Sequence, residues 1–179
     1  MNKINLLIIS LWLCIGTATA QTYYYNTTKT FAMSGYSYKA DAQESNGVIL
    51  FNAASTLTYA TQTYKDSSKL GWDYSRKGDT ENDAAMRNLA SSIVKDAFTT
   101  AEKQRINGKR LTVNMVINPE TGKVLEVYFN FWKDELLATI YISTYRIIEK
   151  TLKNQLQFNI TTKGKELNFV YRGLRIEIE

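Results

Sequence analysis

The sequence predicts an α+β protein in which an N-terminal antiparallel β-meander precedes a helix–strand–strand–helix–strand unit. Three patterns lead to this prediction. Residues 22–65 are rich in Tyr, Thr and Phe and are divided by short turn signals, as in a series of strands. After residue 81, apolar residues recur with the period of a helix. Residues 110–131 then alternate between apolar and polar on both sides of a turn, which is typical of a half-buried hairpin.

The first 20 residues have the composition of a secretory signal peptide. Lys3 gives a positive start, an apolar run follows, and Ala18 and Ala20 form an A-x-A pattern. The apolar run is shorter than the ~20 residues of a membrane-spanning helix, which disfavours the alternative of an uncleaved anchor. We therefore expect cleavage between Ala20 and Gln21, so that the mature protein is periplasmic or secreted and has no membrane span.

Missing residue types exclude several chemistries. The chain has no histidine, and its single cysteine lies in the predicted signal peptide. Histidine-based acid–base catalysis, histidine-activated nucleophiles and typical zinc sites are therefore excluded, as are disulfides in the mature chain. The formal charge of +5 is dispersed rather than gathered into a basic stripe, which argues against nucleic-acid binding. No motif indicates a cofactor, and we expect none.

The N-terminal β part is predicted at residues 21–80. It contains successive short strands, and Asn46 followed by Gly47 marks a hairpin turn between two of them. The predicted strands cover residues 22–34, 36–42, 48–54 and 57–65. A polar, Gly-punctuated loop at 66–80 then leads into the α+β part at 81–179, and the two parts form either one continuous domain or two small ones.

A helix is predicted from residue 81 to about residue 106. Glu81 and Asp83 suit its positive end, and the sequence Asn107-Gly108 stops it. The apolar stripe consists of Met86, Leu89, Ala90, Ile93, Ala97 and Ala101. A second helix is predicted near residues 143–156, with Ser143 as its N-cap.

Two regions of the C-terminal part are predicted as strands with one face in the core. The hairpin turn contains Pro119 and Gly122, which suit the dihedral angles of a turn. Its inner face comprises Leu111, Val113, Met115, Ile117, Leu125, Val127, Phe129 and Phe131. A closing strand follows at 167–178, with Phe169 and Tyr171 inward and Gly173 as a candidate bulge. Such a bulge shifts the alternation and makes Leu174, Ile176 and Ile178 further candidates for the inner face.

The order of elements after residue 82 resembles the C-terminal domain of TonB-type proteins. The matching positions are Gly108, Leu111, Val113, Met115, Ile117, Gly122, Val124 and Val127. Pro119 is the only proline, so the Pro-rich spacer of that family is missing and energy transduction is not implied. The resemblance implies that an extended peptide of a partner is added at a sheet edge. The whole chain also resembles small secreted proteins of unknown function from gut Gram-negative bacteria.

Two binding hypotheses follow, and both concern a non-enzymatic protein. In the first, a protein or peptide partner binds at the edge formed by the closing strand, which contains Phe169, Tyr171 and Arg172. In the second, aromatic residues form a platform for a glycan, and the candidates are Trp72, Tyr74, Trp132 and the run at 23–25. Trp72 and Tyr74 are preferred, because the loop of Trp72 is polar and burial there is not assured. Packing is nevertheless the more common use of such aromatic residues.

A third hypothesis is a hydrolase with a pair of carboxylates. Glu126 and Glu149 are the candidates, but no spacing places them together, and Glu126 is expected to face solvent. The alternating acids at 79–83 resemble the start of a calcium loop, yet Ala84 and Ala90 stand where that loop needs Gly and Glu. The acids therefore fit a helix start better, and we assign neither a catalytic nor a metal site.

Overall fold

Residues 22–179 are described by a computed structural model, and they form a six-stranded sheet with helices. The strands are β1 Lys29–Met33, β2 Tyr36–Ala42, β3 Gly47–Asn52, β4 Arg110–Ile117, β5 Val124–Trp132 and β6 Val170–Glu177. The helices are α1 Asp83–Ala97, α2 Thr100–Ile106, α3 Ile142–Gln155 and α4 Thr162–Lys165, with a 3₁₀ turn at Leu136–Thr139. The predicted α+β class is confirmed. The predicted signal peptide and its cleavage site lie outside the described residues.

The sheet is antiparallel throughout and has the strand order β1-β2-β3-β5-β4-β6. The β4–β5 hairpin thus pairs on one side with β3 and on the other with β6. β1 and β6 are the two edge strands. Because β3 hydrogen-bonds directly to β5, the N-terminal and C-terminal parts share one sheet.

The two faces of the sheet differ because side chains alternate along each strand. One face packs against α1 and α3, where Tyr145 stacks on Phe131 with ring centroids 5.5 Å apart. This helix-covered face includes Tyr38, Ala40, Val48, Leu50, Leu111, Val113, Met115, Val127, Phe129, Leu174 and Ile176, all buried. We call the opposite side the open face, and it includes Ile49, Phe51, Thr112, Asn114, Glu126, Tyr128, Asn130, Tyr171 and Arg175.

The prediction of a fourth N-terminal strand at residues 57–65 is wrong. The place beside β3 that this strand would need is occupied by β5. Residues 57–65 instead form irregular chain with isolated bridges only, such as Tyr64 to Leu167. The first predicted strand, 22–34, is shortened to β1. The alternation of apolar and polar residues at 57–65 arises because one side of this irregular segment packs against the protein, as the buried Gln62 shows. It does not indicate a hydrogen-bonded β-ladder.

The predicted long helix is divided in two. α1 ends at Ala97, and Phe98 is extended and buried. Thr99 then caps α2 in a capping box with Glu102, in which each side chain accepts a hydrogen bond from the other residue's backbone N–H. The signal for this break was in the sequence as T-x-x-E, and the apolar stripe concealed it.

In the closing strand, the predicted inward residues Leu174, Ile176 and Ile178 are buried, as is Phe169, but the prediction for Tyr171 is wrong. Val170 and Arg172 face the helices together with Leu174, whereas Tyr171 lies on the open face. Gly173 is not a bulge, since the β4–β6 register is continuous. The register shift is instead in the hairpin, between Val116 and Ile117 of β4, which leaves the predicted core residue Leu125 of β5 exposed.

Substituting Gly122 by alanine is expected to lower the free energy of unfolding by about 2 kcal/mol or more. Gly122 has φ 69°, and a Cβ there would lie 1.9 Å from the carbonyl oxygen of Phe158. Gly35 is the matched control, because its φ is 79° and no atom lies within 4 Å of the added Cβ. Gly35→Ala should cost only about 1 kcal/mol. Urea unfolding followed by circular dichroism measures both, and equal losses would contradict the role of the close approach.

Candidate functional site

β6 is the edge strand nearest the predicted site residues, and its backbone groups point alternately toward β4 and outward. Ile178 N–H donates to Lys109 O at 2.9 Å, and Ile178 O accepts from Gly108 N–H at 2.8 Å. The backbone N–H and C=O groups of even-numbered residues in β6 therefore point toward β4, and those of odd-numbered residues point outward. The outward carbonyl of Phe169 agrees with this assignment, because it accepts from Gln62 Nε2 at 2.8 Å.

The first part of the β6 edge is flanked by the segment at residues 76–80. This segment leads from the open face, where the Arg76 guanidinium lies 5.2 Å from the centre of the Tyr171 ring, to the helix-covered face, where α1 begins. The outward carbonyl of Tyr171 accepts a hydrogen bond from Arg172 Nη1 at 2.8 Å. We call residues 76–80 the crossing segment. Its contacts with β6 are made by side chains, and a cavity of about 720 Å³ lies between it, the start of α1 and residues 171–173 of β6.

The remainder of the edge, residues 173–177, is open, and we call it the open edge. Its outward N–H and C=O groups belong to Gly173, Arg175 and Glu177. Within residues 22–179, none of these groups has a hydrogen-bond partner. The opposite side of the same strand is paired with β4 along its whole length. An open edge of this kind is the place where a further strand can be added.

Arg172 holds the crossing segment against β6. Its side chain is buried and donates from Nε to Asp83 Oδ1 at 2.8 Å and from Nη2 to Thr80 Oγ1 at 2.9 Å. Its Nη1 lies 3.5 Å from Asp79 Oδ2, and Asp79 is completely buried. This sequence-predicted site residue is therefore a structural cation, and its charge balances two acids that precede and begin α1.

The Asp83 carboxylate has a pKa below its usual range. Partial burial raises the pKa, but hydrogen bonds from Arg87 and Arg172 and the charges of the two guanidinium groups lower it by more. Asp83 is therefore ionised at neutral pH. Its position in the first turn of α1 also places this negative charge at the positive end of the helix.

The two aromatic residues of the predicted glycan platform lie in different surroundings. The Trp72 side chain is 99% exposed. Tyr74 is half-buried, its hydroxyl donates to Asp79 at 2.7 Å, and Lys163 Nζ lies 4.3 Å from its ring centre. Burial and the neighbouring Asp79 raise the pKa of the Tyr74 hydroxyl. The structure thus joins Tyr74 to Arg172 through Asp79 and leaves Trp72 as a solitary exposed indole.

The predicted carboxylate pair does not form a shared cleft. Glu126 lies on the open face and accepts from the backbone N–H of Thr56 at 2.6 Å and of Leu57 at 2.9 Å. The expectation that Glu126 is in solvent is wrong, because residues 53–60 cover it. Glu149 of α3 contacts Tyr38 on the helix-covered face. The sheet separates the two carboxylates.

Two features are absent from residues 22–179. No group of three or more Asp, Glu, His or Cys side chains is placed to hold a metal ion. No helix in this part of the chain is long and apolar enough to span a membrane.

A groove at one end of the open face was not predicted. Its cavity measures about 520 Å³. We call it the sheet-end groove, and its lining includes Gly47, Ile49, Lys109, Arg110, Trp132 and Arg175. The available signal was Trp132, an indole at the end of a strand and outside the apolar side of the alternation. The missing signal was the pairing of β3 with β5, which places Gly47 beside this indole.

The fold and site define a class: a single-sheet α+β protein with one partly closed edge strand and a groove on its open face. The chain belongs to the DUF5043 family, whose sequence model, described as a domain of unknown function, matches residues 21–172. A crystal structure of a DUF5043 family protein from Bacteroides uniformis is 35% identical in sequence and superposes with a TM-score of 0.84. The match covers 88% of this chain and 89% of that chain.

No curated protein matches the chain. The DUF5043 match confirms, at the level of the family, the resemblance to small proteins of unknown function. The order helix, strand, strand, helix, strand that led to the TonB-type comparison is present, but the relationship itself stays a prediction.

Proposed function

We propose that the protein is an exported, non-enzymatic binding protein that takes an extended peptide of a partner as an added strand along the open edge. The single observation that supports this function is the row of unpaired outward groups on Gly173, Arg175 and Glu177. The predicted signal peptide supports export. Main-chain hydrogen bonds would supply affinity, and alternate side chains would supply specificity.

The geometry of the open edge limits the guest peptide. Residues 173–177 span about 17 Å at the rise of an antiparallel strand, and side chains of the crossing segment lie beside the strand at Tyr171 and Arg172. Arg175, whose guanidinium has no ion pair among residues 22–179, favours a guest residue of opposite charge at its cross-strand position. The preferred guest is therefore a short strand with an acidic residue near its centre.

Replacing Arg175 by proline is expected to weaken peptide binding about tenfold, because proline removes one outward N–H donor. The β4–β6 ladder should remain intact, because that N–H does not face β4. The measurement is fluorescence anisotropy of peptides that residues 21–179 select from a random display library. Arg175→Gln is the matched control, since it removes the charge but keeps the N–H, and its affinity should stay within about threefold.

Methylation of single amide nitrogens in the selected peptide provides an independent test. Alternate positions should lose binding, because only every second residue of an added strand pairs with β6. The proposal would be abandoned if Arg175→Pro bound like the native protein, or if no methylated position changed the affinity.

A second candidate function is glycan binding at Trp72. The 99% exposure of this indole in a polar loop favours it, because an exposed aromatic face with no role in packing is free to stack on a sugar ring. The platform would consist of Trp72 alone, since the Tyr74 ring is already in contact with Lys163.

A further inference from the structure

The indole of Trp132 forms one wall of the sheet-end groove. Trp132 is 49% exposed and pairs in the ladder with Gly47, which has no side chain. A Cβ added at Gly47 would meet only Gln43 and Ser45, each at 4.0 Å. The space beside the indole is therefore unfilled, so its ring is accessible to a flat apolar surface. This contrasts with Tyr145 on the helix-covered face, which is packed among other rings.

A row of side chains crosses the floor of the groove from β3 to β6. The register aligns Ile49 with Asn130, Asn130 with Thr112, and Thr112 with Arg175. Adjacent strands are about 4.8 Å apart, so the row extends about 14 Å. Asn130 Oδ1 accepts from Asn114 Nδ2, and its own amide hydrogens have no partner among residues 22–179. The floor thus offers one apolar contact followed by hydrogen-bonding groups.

The lining of the groove has an excess of positive charge. Three cations, Lys109, Arg110 and Arg175, line it together with a single acid, Glu135. Arg110 is paired with Glu177 at 2.9 Å. The Arg175 guanidinium has no hydrogen bond or ion pair within residues 22–179. An unpaired guanidinium beside hydrogen-bonding groups is suited to bidentate recognition of an oxyanion.

We infer that the sheet-end groove binds a saccharide that carries an anionic group, with a sugar ring on Trp132 and the anion on Arg175. The exposed indole supplies the apolar platform, Asn130 and Thr112 supply hydrogen bonds to hydroxyls, and the charge excess selects an acidic ligand. This inference goes beyond the proposed edge function, because Trp132, Asn130 and Thr112 lie across the open face and not along the β6 edge. It also assigns glycan binding to a site other than Trp72.

The test uses residues 21–179 and a glucuronate-containing tetrasaccharide, titrated by isothermal calorimetry at low ionic strength. The same tetrasaccharide with its carboxyl groups reduced to alcohols is the neutral control, and a sulfated tetrasaccharide is the second anionic probe. Either anionic form should bind at least tenfold more tightly than the neutral form. Binding of one anionic form and not the other identifies the anion as carboxylate or sulfate.

The variants assign the site. Trp132→Ala and Arg175→Gln should each weaken binding at least tenfold, with circular dichroism unchanged. Tyr59→Ala, at an exposed aromatic residue, and Arg105→Gln, at a cation of α2, are controls outside the groove, and both should bind within twofold of the native protein. The inference is overturned if no tetrasaccharide binds, if the neutral form binds equally, or if Trp132→Ala retains native affinity. Arg175→Gln keeps the edge N–H, so failure here leaves the peptide proposal separately testable.

Discussion

Replacing Arg172 by methionine should lower the free energy of unfolding by about 3 kcal/mol. Removal of one partner from a buried ion pair typically costs about 3–5 kcal/mol. The lower value applies here, because Lys163 Nζ remains 3.5 Å from the buried Asp79 carboxylate. Arg172 Nε also donates to Asp83 at 2.8 Å, and methionine leaves that acid with Arg87 alone. Urea unfolding followed by tryptophan fluorescence measures the loss.

A paired variant separates the lost ion pair from lost packing. In Asp79→Asn combined with Arg172→Met, no uncompensated carboxylate is buried, so the double variant should recover at least about 1 kcal/mol relative to Arg172→Met. Arg175→Met is the surface control on the same strand, and its stability should change by less than about 0.5 kcal/mol. A loss below about 1 kcal/mol for Arg172→Met would show that the crossing segment does not depend on this cation.

Replacing Glu149 by leucine is expected to cost about 2–3 kcal/mol of stability. Glu149 is 1% exposed. It accepts hydrogen bonds from the Tyr38 hydroxyl, from Asn52 Nδ2 at 3.3 Å and from Arg146 Nη1 at 2.9 Å. Leucine leaves the buried Tyr38 hydroxyl without an acceptor, and an unsatisfied buried group costs about 1–3 kcal/mol. Arg146 is partly exposed, so water replaces part of the hydrogen bonding that its guanidinium loses with Glu149.

Glutamine is the informative comparison at position 149. Glu149→Gln keeps the shape and one acceptor oxygen, so we expect a loss of about 1 kcal/mol. Glu44 is an exposed control with no partner among the described residues, and Glu44→Leu should be nearly neutral. The measurement is again urea unfolding. Equal losses for the leucine and glutamine variants would mean that the charge of Glu149, and not its hydrogen bond to Tyr38, determines the cost.

The predictable parts of the fold are those in which local pattern and tertiary environment agree. The β4–β5 hairpin was predicted because its alternation matches a sheet with one buried face, and its turn contains Gly122 at the positive φ expected. Residues 57–65 show a similar alternation but no strand, because β5 takes the place beside β3. Strand order is a long-range property that no short window of sequence contains.

The candidate site was predicted in position but not in detail. The closing strand was expected to be an edge, and β6 is one. Apolar preference placed Tyr171 inward, yet the buried residue is Arg172. Its burial depends on Asp79 and Asp83, which are far away in the sequence and reach it only through the crossing segment. Acidic partners from a distant segment thus bury Arg172, although hydrophobicity alone would bury Tyr171.

The open edge also determines how two copies of this protein meet. Pairing of residues 173–177 with the same residues of a second copy, in the antiparallel register that uses them all, would place Arg175 directly opposite Arg175. Like charges in facing positions of a ladder are destabilising. The central arginine therefore disfavours self-association through a continuous intermolecular sheet, and it would favour the proposed guest strand with an acid at its centre. One side chain thus opposes dimerisation of the protein through its own open edge.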